Sequence, residues 1–189
     1  MMQRAAIALL IACALSLNSC GLRPTPDDSL LGNVLVTGAA EGAPAGCSPD
    51  EVTARIVEMF AAVNRGDPNL VDEFFGRQSQ APFQWYSMDE FGKTEAEENH
   101  FVAYAWDELD AYWPERYRQQ ERLQLRSVQF NGWEGARGLV HFGPIVLARQ
   151  ADDLRPGLGG PESLAEGKGA YHCGTRAFVV LSLSMSLEG

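Results

Sequence analysis

Histidine, cysteine and serine are the residue types that hold metals or attack carbonyls, and their spacing here suits neither task. His100, His141 and His172 form no HxxxH or HxH pair, and the four cysteines form no CxxC, so no metal site is expected. No Gly-x-Ser-x-Gly turn occurs, and Ser182, Ser184 and Ser186 alternate along one segment without a nearby base. No cofactor is expected either. The side chains with reach for binding are aromatic. Ten of the 18 aromatic residues fall between Phe83 and Tyr117, interleaved with nine Asp and Glu. This stretch reads either as an aromatic lid or binding surface, or as an amphipathic helix packed on a sheet with its acids in water. Trp85 and Tyr104 are the ligand-contact candidates from it.

Cysteine carries the other chemistry. Arg4 precedes a 13-residue uncharged run, Ala5 to Leu17, which is the length of a secretory signal core and short for a membrane span. The next residues are Leu17-Asn18-Ser19-Cys20-Gly21. This box resembles the lipobox of bacterial lipoproteins: aliphatic at −3, small at −1, Cys at +1. The resemblance implies cleavage before Cys20, a diacylglyceryl thioether on its sulfur, and an extracytoplasmic chain anchored to the cell membrane or outer membrane. Two or three acyl chains anchor stably where one is marginal. The alternative is an ordinary secretory signal with an incidental cysteine.

The 189 residues are 46% hydrophobic and 21% charged, a globular composition, and the net charge of −10 argues against nucleic acid as a partner. Residues 1–19 read as the signal and residues 20–46, which hold no aromatic residue, as a flexible tether. Within the tether, Asn33–Thr37 either adds to a sheet edge or stays loose, and loose is the expectation. Residues 47–189 are one domain. Once Cys13 leaves and Cys20 is lipidated, Cys47 and Cys173 remain, one at each end of the domain. In an oxidising compartment a single disulfide follows; two buried free thiols are the alternative.

Ser48-Pro49-Asp50-Glu51 opens a helix whose apolar stripe is Val52, Ile56, Met59, Phe60 and Val63, stopped by Gly66. Asp67-Pro68 restarts a short helix to Phe75. A strand follows over Phe83–Met88, then a helix from Thr94 toward Trp113, ended by Pro114. Arg122–Asn131 and Leu139–Arg149 are strands, the second bent at Gly143-Pro144. A Gly/Pro-rich loop covers 151–167. Lys168–Cys173 and Arg176–Leu187 close the chain as a hairpin around Gly174-Thr175.

In this order, Ser48–Gly76 and Gly167–Met185 resemble the nuclear-transport-factor-2-like superfamily. The fold implied is α+β: a curved antiparallel sheet wrapped around N-terminal helices as a cone, here with a helical insertion. A cystatin-like single-helix sheet without a cavity is the alternative. The superfamily includes ketosteroid isomerases, dehydratases, polyketide cyclases and non-catalytic lipoprotein domains. The enzymes among them place an Asp or His in the pocket, so the resemblance makes Asp72, His141 and His172 the acid–base candidates.

The hairpin separates two faces. Pairing Cys173 with Arg176 sets Tyr171 opposite Phe178, and period-two alternation puts Tyr171, Cys173, Phe178, Val180 and Ser182 on one side. His172, Val179, Leu181, Leu183 and Met185 fall on the other. A disulfide to Cys47, directly before the first helix, turns the first set toward that helix. Tyr171, Phe178 and Ser182 are therefore expected to line the cone as ligand contacts. The second set is then a convex apolar face awaiting a dimer mate or an envelope protein. If Cys47 reaches around the sheet end, the faces exchange.

The expected function is a membrane-anchored, non-catalytic binding domain for a small apolar or amphipathic ligand or an envelope protein. A proton-transfer enzyme and a dimeric interaction module are the alternatives.

Overall fold

A computed structural model of the chain describes residues 33–79, 82–89, 99–152 and 163–185. One mixed sheet of seven strands carries the fold, in the order β1-β4-β5-β6-β7-β2-β3. The strands are β1 (Leu35–Gly38), β2 (Gln84–Asp89), β3 (Asn99–Ala103), β4 (Arg122–Glu134), β5 (Leu139–Gln150), β6 (Ser163–His172) and β7 (Ala177–Met185). Three helices, α1 (Pro49–Arg65), α2 (Pro68–Phe74) and α3 (Trp106–Arg118), accompany the sheet, and α1 packs along β4.

The long helix α1 forms where its sequence signals place it. The Ser48 hydroxyl accepts the Glu51 amide and the Glu51 carboxylate accepts the Ser48 amide, so two orphan helix-end donors are satisfied. The same hydroxyl, donating to Glu51 at 2.7 Å, holds that carboxyl below its usual range. Gly66 ends the helix in a left-handed conformation at φ 68°, where the Tyr117 ring leaves no room for a Cβ. Val52, Ile56, Met59, Phe60 and Val63 are all buried.

Several expectations change, one being that residues 163–167, read as part of the Gly/Pro-rich loop, open β6. Residues 35–38 do not stay loose: they pair in parallel with Ser127–Phe130 of β4, while Val34, Val36 and Ala43 pack on the core. Core packing therefore extends ahead of Cys47, to Val34. The helix expected from Thr94 to Trp113 is two elements. Asn99–Ala103 is a strand paired with β2, and the helix starts at Trp106, where Glu108 accepts the Tyr104 and Ala105 amides at 2.8 and 3.0 Å. Residues 90–98 lie outside the described residues. Nor does Pro114 end α3. It removes one hydrogen bond, but Leu109, Tyr112, Trp113 and Arg116 bury one side of the helix and carry it to Arg118. Finally, the last hairpin holds a bulge. Tyr171 does face Phe178, but Ala170 pairs with Val180, so Val179 is an extra residue. Beyond it the faces exchange. Leu181 and Leu183 enter the core and Ser182 turns out, its hydroxyl donating to the Lys168 carbonyl at 3.2 Å. The apolar convex face expected from unbroken alternation is thereby removed.

The bend expected at Gly143-Pro144 is present as a register shift between Phe142 and Ile145. The disulfide Cys47–Cys173 joins the start of α1 to the β6–β7 hairpin, with Cα atoms 5.9 Å apart and a sequence separation of 126. A crosslink of that span removes about 4–5 kcal/mol of loop entropy from the unfolded chain. Reduction should lower unfolding stability by that order in a denaturant titration with and without reductant. A change under about 1 kcal/mol would contradict this role for the bond.

Candidate functional site

Filling the cone falls to aromatic side chains. Trp85 of β2 is fully buried, with ring centres at 4.8 Å to Trp113, 6.0 Å to Tyr112 and 6.0 Å to Phe75. Phe178 sits 5.3 Å from Tyr171, 6.1 Å from Phe142 and 6.3 Å from Phe75. These are the tilted and edge-on contacts that aromatic rings prefer in a packed core. Three expected ligand contacts are thus part of one aromatic packing: Tyr171 meets Phe178, and Trp85 joins them through Phe75. Tyr104 is apart from them, 65% exposed, with its hydroxyl 3.4 Å from the Gln84 amide. Ser182 is on the outer side. Cys20 lies outside the described residues.

One buried polar cluster was not expected. Arg149 and Glu121 are 0% and 1% exposed and pair through two contacts, Nε to Oε1 at 2.9 Å and Nη2 to Oε2 at 3.3 Å. Arg116 donates to the same carboxylate, and Arg149 Nη1 lies 3.2 Å from the Ser87 hydroxyl. The cluster ties α3, β5, β2 and the residue before β4 together. Burial beside Glu121 pushes the Tyr112 hydroxyl well above its usual range. A sequence signal for it existed: Ile145, Leu147 and Arg149 share one strand parity, so a strand facing a core delivers Arg149 inward with its apolar neighbours.

The acid–base candidates do not meet. His141 is on β5 with Nε2 at 2.9 Å from Glu134 Oε2, and its side chain is 41% exposed. His172 closes the hairpin, its Nδ1 at 3.0 Å from both the amide and the hydroxyl of Thr175. Asp72, by contrast, is buried in α2. Arg77 pairs with it on one side and with Asp110 of α3 on the other, Nη2 to Oδ2 at 2.9 Å. The other Asp72 oxygen, Oδ1, has no hydrogen-bond partner among the described residues. Burial raises the Asp72 carboxyl above its usual range despite Arg77, whereas Arg77 holds Asp110 low. Among the described residues no three His, Cys, Asp or Glu gather as a metal site.

Open space lies elsewhere among the described residues. A cavity of about 280 Å³ sits where the ends of α1 and α3 meet the start of α2, walled by Val63, Pro68, Val71, Trp113 and Tyr117. A groove of about 380 Å³ runs between α1 and the β4 edge, ahead of the point where β1 begins. Its floor is Val57, Phe60, Leu123 and Leu125, and Asn33 and Val34 close one end. Beside it the Asn64 amide bridges both the N–H and the C=O of Leu123, at 2.7 and 2.9 Å, so part of the open strand edge is already satisfied.

Asp72 gives a signed pH prediction. A carboxyl whose folded pKa is raised costs stability when ionised and returns it as pH falls through the raised value toward its unfolded value. The wild type should therefore gain melting temperature relative to Asp72→Asn between pH 7 and pH 4. A difference that is flat or runs the other way across that range overturns the assignment.

No protein-family model matches the chain, and no curated protein matches it. Solved structures do. One assigned as a calcium/calmodulin dependent protein kinase II association domain from Xanthomonas campestris is 15% identical, with a TM-score of 0.52 over 81% of this chain and 97% of that one. The orange carotenoid protein of Anabaena (Nostoc) sp. PCC 7120, bound to canthaxanthin, is 8% identical with a TM-score of 0.52, over 82% of this chain and 39% of that one. An NTF2-like protein of unknown function from Cytophaga hutchinsonii gives a TM-score of 0.39 at 10% identity, over 71% of this chain and 88% of that one. At these identities the likeness is one of fold alone, and the two structures with a TM-score of 0.52 share the α+β fold of this chain.

Proposed function

We propose that the chain is a lipid-anchored, extracytoplasmic binding module, and that it binds at the surface groove beside α1 instead of inside its cone. The observation that carries this reading is the mutual packing of Trp85, Phe75, Phe178, Tyr171 and Phe142. A pocket enzyme of this architecture needs room for substrate beside an acid or base. Here aromatic rings occupy that room. The His141 ring is engaged by Glu134 and the Asp72 carboxyl by Arg77, so neither is poised over a chamber. The groove remains a concave site of binding size, with an apolar floor and a polar rim. The anchor rests on the box at Cys20.

Two measurements on the full chain expressed in a bacterial envelope test this. Cys20→Ala should move the protein from the membrane fraction to the soluble fraction; retention in the membrane would contradict the anchor. Native mass spectrometry of the gently purified chain should show an adduct that denaturation removes. Uniform apo protein would contradict ligand binding.

A further inference from the structure

Among the described residues fourteen line the groove beside α1, of which three are arginine and none is acidic. This is notable in a chain with 25 acidic and 15 basic residues and a net charge of −10. Arg149 is already answered by Glu121. Arg122 is exposed, and its two hydrogen bonds go to neutral acceptors, the Glu121 carbonyl at 2.7 Å and the Gln120 side-chain oxygen at 3.5 Å. Arg126 stands on the same rim. The floor beneath them is apolar. An acidic surface repels anions over roughly a Debye length, about 8–10 Å. A groove with no carboxylate among its described lining residues and with Arg122 at its mouth opposes that field locally.

Resting on the binding reading above, we propose that the groove takes a single-chain amphiphile with an anionic head. The alkyl tail lies along Val57, Phe60 and Leu125, and the head meets Arg122. Arginine suits this head because its planar fork bonds carboxylate or phosphate through two donors. A cationic or neutral head on the same tail has no counterpart at the rim. The position of the groove fits a ligand drawn from a membrane. Asn33 and Val34 close its end, and Cys20 is 13 residues earlier in the sequence, so the site lies within about 45 Å of the proposed anchor even at full chain extension.

The test is titration of the purified full chain with dodecanoate and, separately, with dodecyltrimethylammonium, both below their micelle concentrations, followed by calorimetry. Dodecanoate is expected to bind at least tenfold more tightly, and Arg122→Glu to remove that preference. Ala61→Trp, which fills the groove from α1, is expected to abolish binding of dodecanoate; a matched melting temperature verifies its fold. Equal affinity for the two amphiphiles, or a preference untouched by Arg122→Glu, overturns the anionic-head assignment. Undiminished binding to a folded Ala61→Trp variant overturns the groove. An envelope-derived adduct seen by native mass spectrometry while dodecanoate fails to bind would sink this inference and leave the binding reading standing.

Discussion

A curved sheet must be filled from its concave side, and in this protein aromatic rings do the filling. Phe75 connects the two halves of the packing, touching Trp85 on one side and Phe178 on the other. Trp85 carries the contact on to α3 through Trp113, and Phe178 carries it to the hairpin through Tyr171. Each such ring buries on the order of 150–250 Å². The disulfide from Cys47 to Cys173 then locks the first helix to the same hairpin. Helix, sheet and insertion are thus held by one continuous body of side chains, and space for a ligand is displaced to the rim.

The polar interior follows from the same constraint. Where α3 crosses onto the sheet, the sequence supplies charge instead of apolar volume. Glu121 accepts from both Arg149 and Arg116 within the protein. Breaking a buried set of this kind by removing one partner costs about 3–5 kcal/mol, because the remaining charges stay out of water. The cluster is best understood as a pin that fixes α3 over β5 and β2. Asp72 with Arg77 and Asp110 is a second pin, joining α2 to α3 nearer the surface.

Much of this was legible in the sequence where one local rule sufficed. Ser48, Pro49, Glu51 and Gly66 bound the long helix in both readings, and the facing of Tyr171 and Phe178 followed from a short turn. What was not legible required a partner distant in sequence. Leu35–Gly38 has too little apolar pattern to declare itself a strand; it becomes one because β4 offers an edge. Asn99–Ala103 reads as a helix interior until β2 is beside it. The bulge at Val179 is invisible to period-two alternation, yet it decides that Leu181 and Leu183, not Ser182, face the core. Trp85 was read as a ligand contact, and its ring contacts among the described residues are other aromatic rings of the same chain.

The central claim is that the cone is filled and the groove is not. Xenon enters apolar space large enough to hold it, and methyl resonances report where it binds. In a xenon-pressurised sample of the full chain, the methyl groups of Leu123 and Leu125 should shift saturably while those of Leu181 and Leu183 stay in place. Saturable shifts at Leu181 and Leu183 would mean an open chamber inside the cone, and would return the interior to consideration as the site of binding or chemistry.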